Sequence, residues 1–125
     1  MGISALQYVN KLMADIGISY EFMRWNSGIP PDVYFVGEYM ESPSMTKEEN
    51  GHQETTFILR GFTRKEWLLL EQAKEKIEKN ATQTAILGDG TGIAVFYDSA
   101  TVVPTGDAEL KSIKINLNIQ EWKVN

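Results

Sequence analysis

The stretch Ile113-Lys114-Ile115-Asn116-Leu117-Asn118-Ile119-Gln120 alternates apolar and polar residues at a strict period of two. Successive side chains of a strand point to opposite faces, so Ile113, Ile115, Leu117 and Ile119 share one side and Lys114, Asn116, Asn118 and Gln120 the other. One face is core and one is wet, which marks a half-buried antiparallel strand.

Working back towards the N-terminus, two shorter apolar runs, Gln83–Leu87 and Gly92–Tyr97, flank Gly88-Asp89-Gly90-Thr91-Gly92. Glycine supplies the positive φ of tight turns, so this block reads as a hairpin. Before it, Arg64–Lys79 carries Leu69, Leu70, Ala73 and Ile77 at helical spacing. Thr63 and Glu66 have the spacing of a capping box, and Phe62 and Trp67 that of a hydrophobic staple. Gln53–Phe62 and Val33–Met40 read as two antiparallel strands joined by the polar excursion Glu41–Gln53, with an Asn50-Gly51 turn at its tip. Asn26–Asp32 contains two consecutive prolines and is a loop. Ile18–Trp25 reads as a further strand, and residues 4–16 as a helix that starts on Ser4, with Gln7 completing a capping box, and stops at Gly17. The expected order is α-β-β-β-α-β-β-β, a single α+β domain over residues 1–125 with a mainly antiparallel sheet and two helices.

The length, 125 residues, suits one hydrophobic core. The chain has no cysteine, which removes thiolate zinc sites, iron–sulfur clusters, thiol nucleophiles and disulfides. His52 is the only histidine, so a multi-histidine metal site within one subunit is excluded. The net charge of −5 has the wrong sign for a protein that neutralises phosphates, and sequence-specific nucleic-acid binding is not expected. No apolar run approaches the roughly 20 residues of a membrane span, and the N-terminus lacks a signal-peptide pattern, so the expectation is a soluble, intracellular protein without a membrane partner.

No motif reads as a reaction centre. The Gly88–Gly92 run lies between two strands, whereas phosphate-cradling glycine loops lead from a strand into a helix. Asp89, Asp98 and Asp107 lack calcium-loop spacing and read as turn acids. The neighbours Glu48 and Glu49 point apart if extended, and Glu38 and Glu41 read as surface acids. Trp67 belongs to the second helix, while Trp25 and Trp122 stand at strand ends, where edge packing and protein–protein contact are both open. No catalytic residue, cofactor or metal is expected.

Tyr34-Phe35-Val36-Gly37-Glu38-Tyr39, Gln53–Arg64 and Trp67–Ile77, with the terminal alternating strand, resemble the tail-terminator (tail-completion, tail-to-head joining) proteins of long-tailed bacteriophages and prophages of Gram-positive bacteria. The resemblance covers about residues 4–123 and rests on fold-bearing patterns. It implies a virion structural protein that is not an enzyme and forms a ring, commonly a hexamer of itself, on the last ring of the tail tube. Such a ring ends tail polymerisation and joins the tail tube protein to a head-connector or head-closure protein. The implied location is the bacterial host cytoplasm during assembly and then the tail–head interface of the virion. DNA passes the lumen of such a ring without sequence-specific contact. Other neck-ring or head-closure components are rival members of the same class. A small-ligand-binding or hydrolytic enzyme using acids near Asp89 and Asp98 is the alternative from another class, and a monomeric adaptor encoded by a mobile element is a third. Loop position and exposed aromatics nominate Trp25, Met45, Lys47, Glu48, Glu49, Asn50, His52 and Trp122 as interface residues.

Overall fold

A computed structural model describes residues 1–41 and 52–123. Helix α1 (Ile3–Asp15) is followed by strands β1 (Tyr20–Phe22), β2 (Val33–Glu41) and β3 (Gln53–Thr63), then helix α2 (Trp67–Asn80) and strands β4 (Gln83–Ile86), β5 (Thr91–Val103) and β6 (Lys111–Lys123). The six strands form one sheet in the order β1-β2-β3-β6-β5-β4. All neighbours are antiparallel except β1, which lies parallel to β2. The α+β class and mainly antiparallel sheet expected from the sequence are present.

The alternating stretch in β6 lies in the middle of the sheet, between β3 and β5. Its Ile113, Ile115, Leu117 and Ile119 are buried, level with Leu59 and Phe57 of β3 and Val95 of β5. Both helices pack on this inner face. They contribute Ala5, Val9, Leu12 and Met13 from α1 and Leu70, Ala73 and Ile77 from α2 to one apolar cluster. Each large side chain in that cluster supplies about 1.5–3 kcal/mol on leaving water. Two glycines allow the layers to close. A β-carbon on Gly61 would enter the ring of Phe35, and one on Gly37 would enter the space of Tyr20 and Phe57.

Four local expectations change. The capping box at Thr63 does not form: Thr63 remains in β3, paired with Val33 and Lys111, and α2 starts later with Glu66 at its N-cap. Strand pairing has taken the residue that the box needed, and the Thr63 hydroxyl instead accepts from the Lys65 N–H at 3.1 Å. Phe62 points to the face opposite the helices, its ring 5.4 Å from that of Tyr34, so it does not staple α2. The Ser4 box also fails, because α1 is capped by Gly2 and the Ser4 hydroxyl donates to Asp89 at 2.7 Å. Finally, the strand expected over 18–25 is limited to Tyr20–Phe22, because Met23 adopts φ +73° and turns the chain away. Gly17 does end α1, at φ +79°, with the Ile18 N–H donating back to Met13 C=O at 2.9 Å.

Candidate functional site

With both helices on the inner face, the register places Tyr34, Val36, Glu38 and Met40 of β2 on the opposite face. Beside them lie Thr56, Ile58, Arg60 and Phe62 of β3, then Ser112, Lys114, Asn116 and Asn118 of β6. Ser99, Thr101 and Val103 complete the rows from β5. Among the described residues no helix or strand covers this face, and only Trp25, from the loop between β1 and β2, packs against Tyr34 at one end of it. It is rich in hydroxyls and amides and is partly self-satisfied. Asn118 Nδ2 donates to Glu54 at 2.9 Å, Asn116 Nδ2 donates to Ser99 at 3.1 Å, and Gln120 Nε2 donates to Asn118 Oδ1 at 3.1 Å. Arg60 Nε donates to Glu38 at 2.6 Å. Across β2, β3, β6 and β5 the acids Glu38 and Glu54 offset the bases Arg60 and Lys114, so the chain's negative charge is not concentrated here.

Exposed apolar side chains occupy its margins. Met40 is 65% exposed at one side and Phe96 42% exposed on the other, in the same row. Ile86 is exposed in β4. These three were not picked out from the sequence. Their alternation was legible, but which face each strand would leave uncovered depended on the helix layer.

The nominated interface residues fall at different places. Trp25 is half-buried near the start of β2, its ring 5.5 Å from Tyr34, which in turn meets Phe62. That aromatic row borders a cleft of about 400 Å³ formed by Ile29, Pro31, Tyr34, Arg64, Lys65 and Leu110. Trp122 lies at the other end of the sheet, where Gly92 makes room for its indole. His52 is half-buried at the start of β3, at that same end. The structure therefore separates Trp25 from Trp122 and His52. Met45, Lys47, Glu48, Glu49 and Asn50, with the Asn50-Gly51 turn, lie outside the described residues.

The end carrying Trp122 is tied to the chain's first residues. The Met1 ammonium pairs with Glu41, and the Gly2 N–H donates to Glu121 Oε1 at 3.0 Å. Ser4 reaches the β4–β5 turn through Asp89. The Ser4 hydroxyl and the Thr91 N–H hold the Asp89 carboxyl below the usual aspartate range. At the far end the Glu109 N–H and the Arg64 guanidinium do the same for Asp107. Burial raises the phenol of Tyr20, whose oxygen has no hydrogen-bond partner among the described residues.

The acids considered for chemistry are dispersed. Glu38 and Glu41 occupy opposite faces of β2. Asp89 sits in the β4–β5 turn and Asp98 at the bulge between Tyr97 and Ser99, about 20 Å further along the strand. Among the described residues no three His, Asp or Glu side chains are grouped to hold a metal ion, and no helix is long and apolar enough to cross a membrane. No protein-family model and no curated protein matches the chain.

Proposed function

We propose that this chain is a non-enzymatic structural subunit of a phage particle, a tail terminator that assembles as a ring at the head-proximal end of the tail tube. The observation that carries the reading is the sheet itself, with helices on one face only and open margins bearing Met40, Phe96 and Ile86. A broad face of hydroxyls and amides with balanced charge suits the lumen of a ring through which DNA slides, because it offers phosphates neither strong attraction nor a bar. The helix layer then forms the outside of the ring. The two ends of the sheet, one with Trp25 and Tyr34 and one with His52 and Trp122, face along the axis towards the tail tube protein and the head-closure protein.

Deletion of the gene from its native phage or induced prophage, followed by negative-stain electron microscopy, tests the reading. Overlong or unattached tails beside filled heads are the expected result. Normal, joined tails with normal infectivity overturn it.

A further inference from the structure

Two lengths of sheet edge are left open, one on each side. On the β2 side, the Phe35 N–H donates to Ser19 at 2.8 Å and the Gly37 C=O accepts from Met23 at 2.8 Å, so the odd-numbered residues of β2 turn their backbone groups outwards. Met23, at φ +73°, then takes the chain away, and Tyr39 and Glu41 continue the same phase with no strand beside them among the described residues. On the β5 side, β4 covers only Gly92–Val95, and the Thr82 hydroxyl takes the Tyr97 N–H at 3.2 Å. The bulge after Tyr97 inverts the phase, so Ala100 and Val102 turn their backbone groups to an edge that no described strand covers.

Open edges of this kind are templates for another strand, and Ser99-Ala100-Thr101-Val102-Val103 carries none of the charges or prolines that normally protect one. Val102 is 63% exposed and Tyr39 40%. We propose that the open edge of β5 pairs antiparallel with the open edge of β2 in a second copy of this chain, joining successive subunits head to tail into one continuous sheet. The inference deepens the ring reading and rests on it for closure.

Chain direction, hydrogen-bond phase and facing agree in a single register. β2 and β5 run in opposite directions within the sheet, so copies set side by side present antiparallel edges. Opposing Tyr39 to Val102 also opposes Glu41 to Ala100. All four residues turn their amides to the edge and their side chains to the inner face, as hydrogen-bonded pairs require. Met40 then meets Thr101 on the face away from the helices, and the exposed side chains of Tyr39, Met40 and Val102 are covered together. Charge permits this partner. Glu38 and Glu41 of the β2 edge are already paired with Arg60 and the Met1 ammonium, and the facing stretch Ser99–Val103 is uncharged and lies beside Lys114.

The register also closes. Within one chain Tyr39 is level with Leu117 of β6, and Val102 with Ile113. Each copy is therefore displaced by four residues along the strand over four strand spacings, about 13 Å over about 19 Å. A ring without axial rise then needs strands tilted by about 35°, which is within the range of closed sheets whatever the number of copies.

The absence of cysteine makes the test direct. Met40 and Thr101 form a non-hydrogen-bonded pair across the proposed joint, where α-carbons approach to about 4.5 Å and a disulfide fits. Within one chain they stand on opposite edges and cannot be bridged. Oxidation of the double variant Met40→Cys, Thr101→Cys at high concentration is expected to give a ladder of cross-linked species. A mixture of the two single variants is expected to stop at a dimer, and each alone to stay monomeric. Val102→Pro, which removes an edge N–H that the fold does not use, is expected to abolish the ladder with an unchanged circular dichroism spectrum and melting curve. Oligomers seen by light scattering without any ladder overturn the edge pairing and leave the ring reading standing. A dimer from Thr101→Cys alone also overturns it, in favour of β5 pairing with itself. A native protein that stays monomeric at high concentration and gives no ladder overturns the edge pairing, and the deletion phenotype decides the ring reading separately.

Discussion

The indole of Trp122 occupies the space in which a β-carbon on Gly92 would stand, so the two residues form one cross-strand unit at the β5–β6 pair. Gly92→Ala forces the indole off its strand, and the expected loss is about 1–3 kcal/mol, the range for overpacking. Gly88, in the adjoining turn, has nothing within 4 Å of a β-carbon. Gly88→Ala is expected to stay within about 0.5 kcal/mol of the parent. Urea unfolding followed by tryptophan emission measures both.

Helix α2 carries a sharp contrast between neighbours. Leu70 is fully buried and Leu68 is 59% exposed. Leu70→Ala is expected to cost about 2–5 kcal/mol, since the cavity adds to the lost transfer energy. Leu68→Ala is expected to change stability by less than about 0.5 kcal/mol. Equal losses at the two positions would show that α2 is rotated from the orientation described.

The Tyr20 hydroxyl is buried without a described partner, and burial raises its ionisation well above the ordinary phenol value. A group whose folded pKa is raised stabilises fully below its unfolded value, about 10 for tyrosine, and loses that contribution as the pH rises towards the folded value. Tyr20→Phe is therefore expected to be neutral or more stable by about 1 kcal/mol at pH 7, and to lose less stability than the parent above pH ~10. Denaturant melts at neutral and alkaline pH decide it.

Asp89 and Asp107 are held below the ordinary aspartate value, so their contributions are complete above the unfolded pKa of about 3.9 and fade as the pH falls through the lower folded values. Asp107→Asn is expected to be less stable than the parent at pH 7 and to approach it at low pH. Ser4→Ala is expected to flatten the acid dependence in the same sense, because the Ser4 hydroxyl is the main cause of the Asp89 shift. Melting temperatures between pH 2 and 7 check both.

Much of the fold was legible in side-chain period. The alternation in 113–120 identified the buried set of β6, the Leu69, Leu70, Ala73 and Ile77 stripe identified the inner face of α2 with Leu69 only half-buried at its margin, and Gly17 marked the end of α1. The helix starts were not legible. Both capping boxes have the right spacing, yet Thr63 was claimed by its strand partners and Ser4 by Asp89. A local motif competes with long-range pairing that no window of neighbouring residues contains. The nominated interface residues were chosen by loop position and aromatic character, and neither property encodes a strand's open edge. Tyr39, Ala100, Thr101 and Val102 were for that reason invisible as a group.

What the sequence by itself determined was the kind and order of the elements, because period, turn chemistry and composition act between residues a few positions apart. Only the tertiary structure decided that both helices cover the same face, that Met23 ends β1 early, and that β4 stops short of the second half of β5. Those outcomes depend on contacts between distant segments, and they alone set which face and which edges of the sheet the described elements leave uncovered.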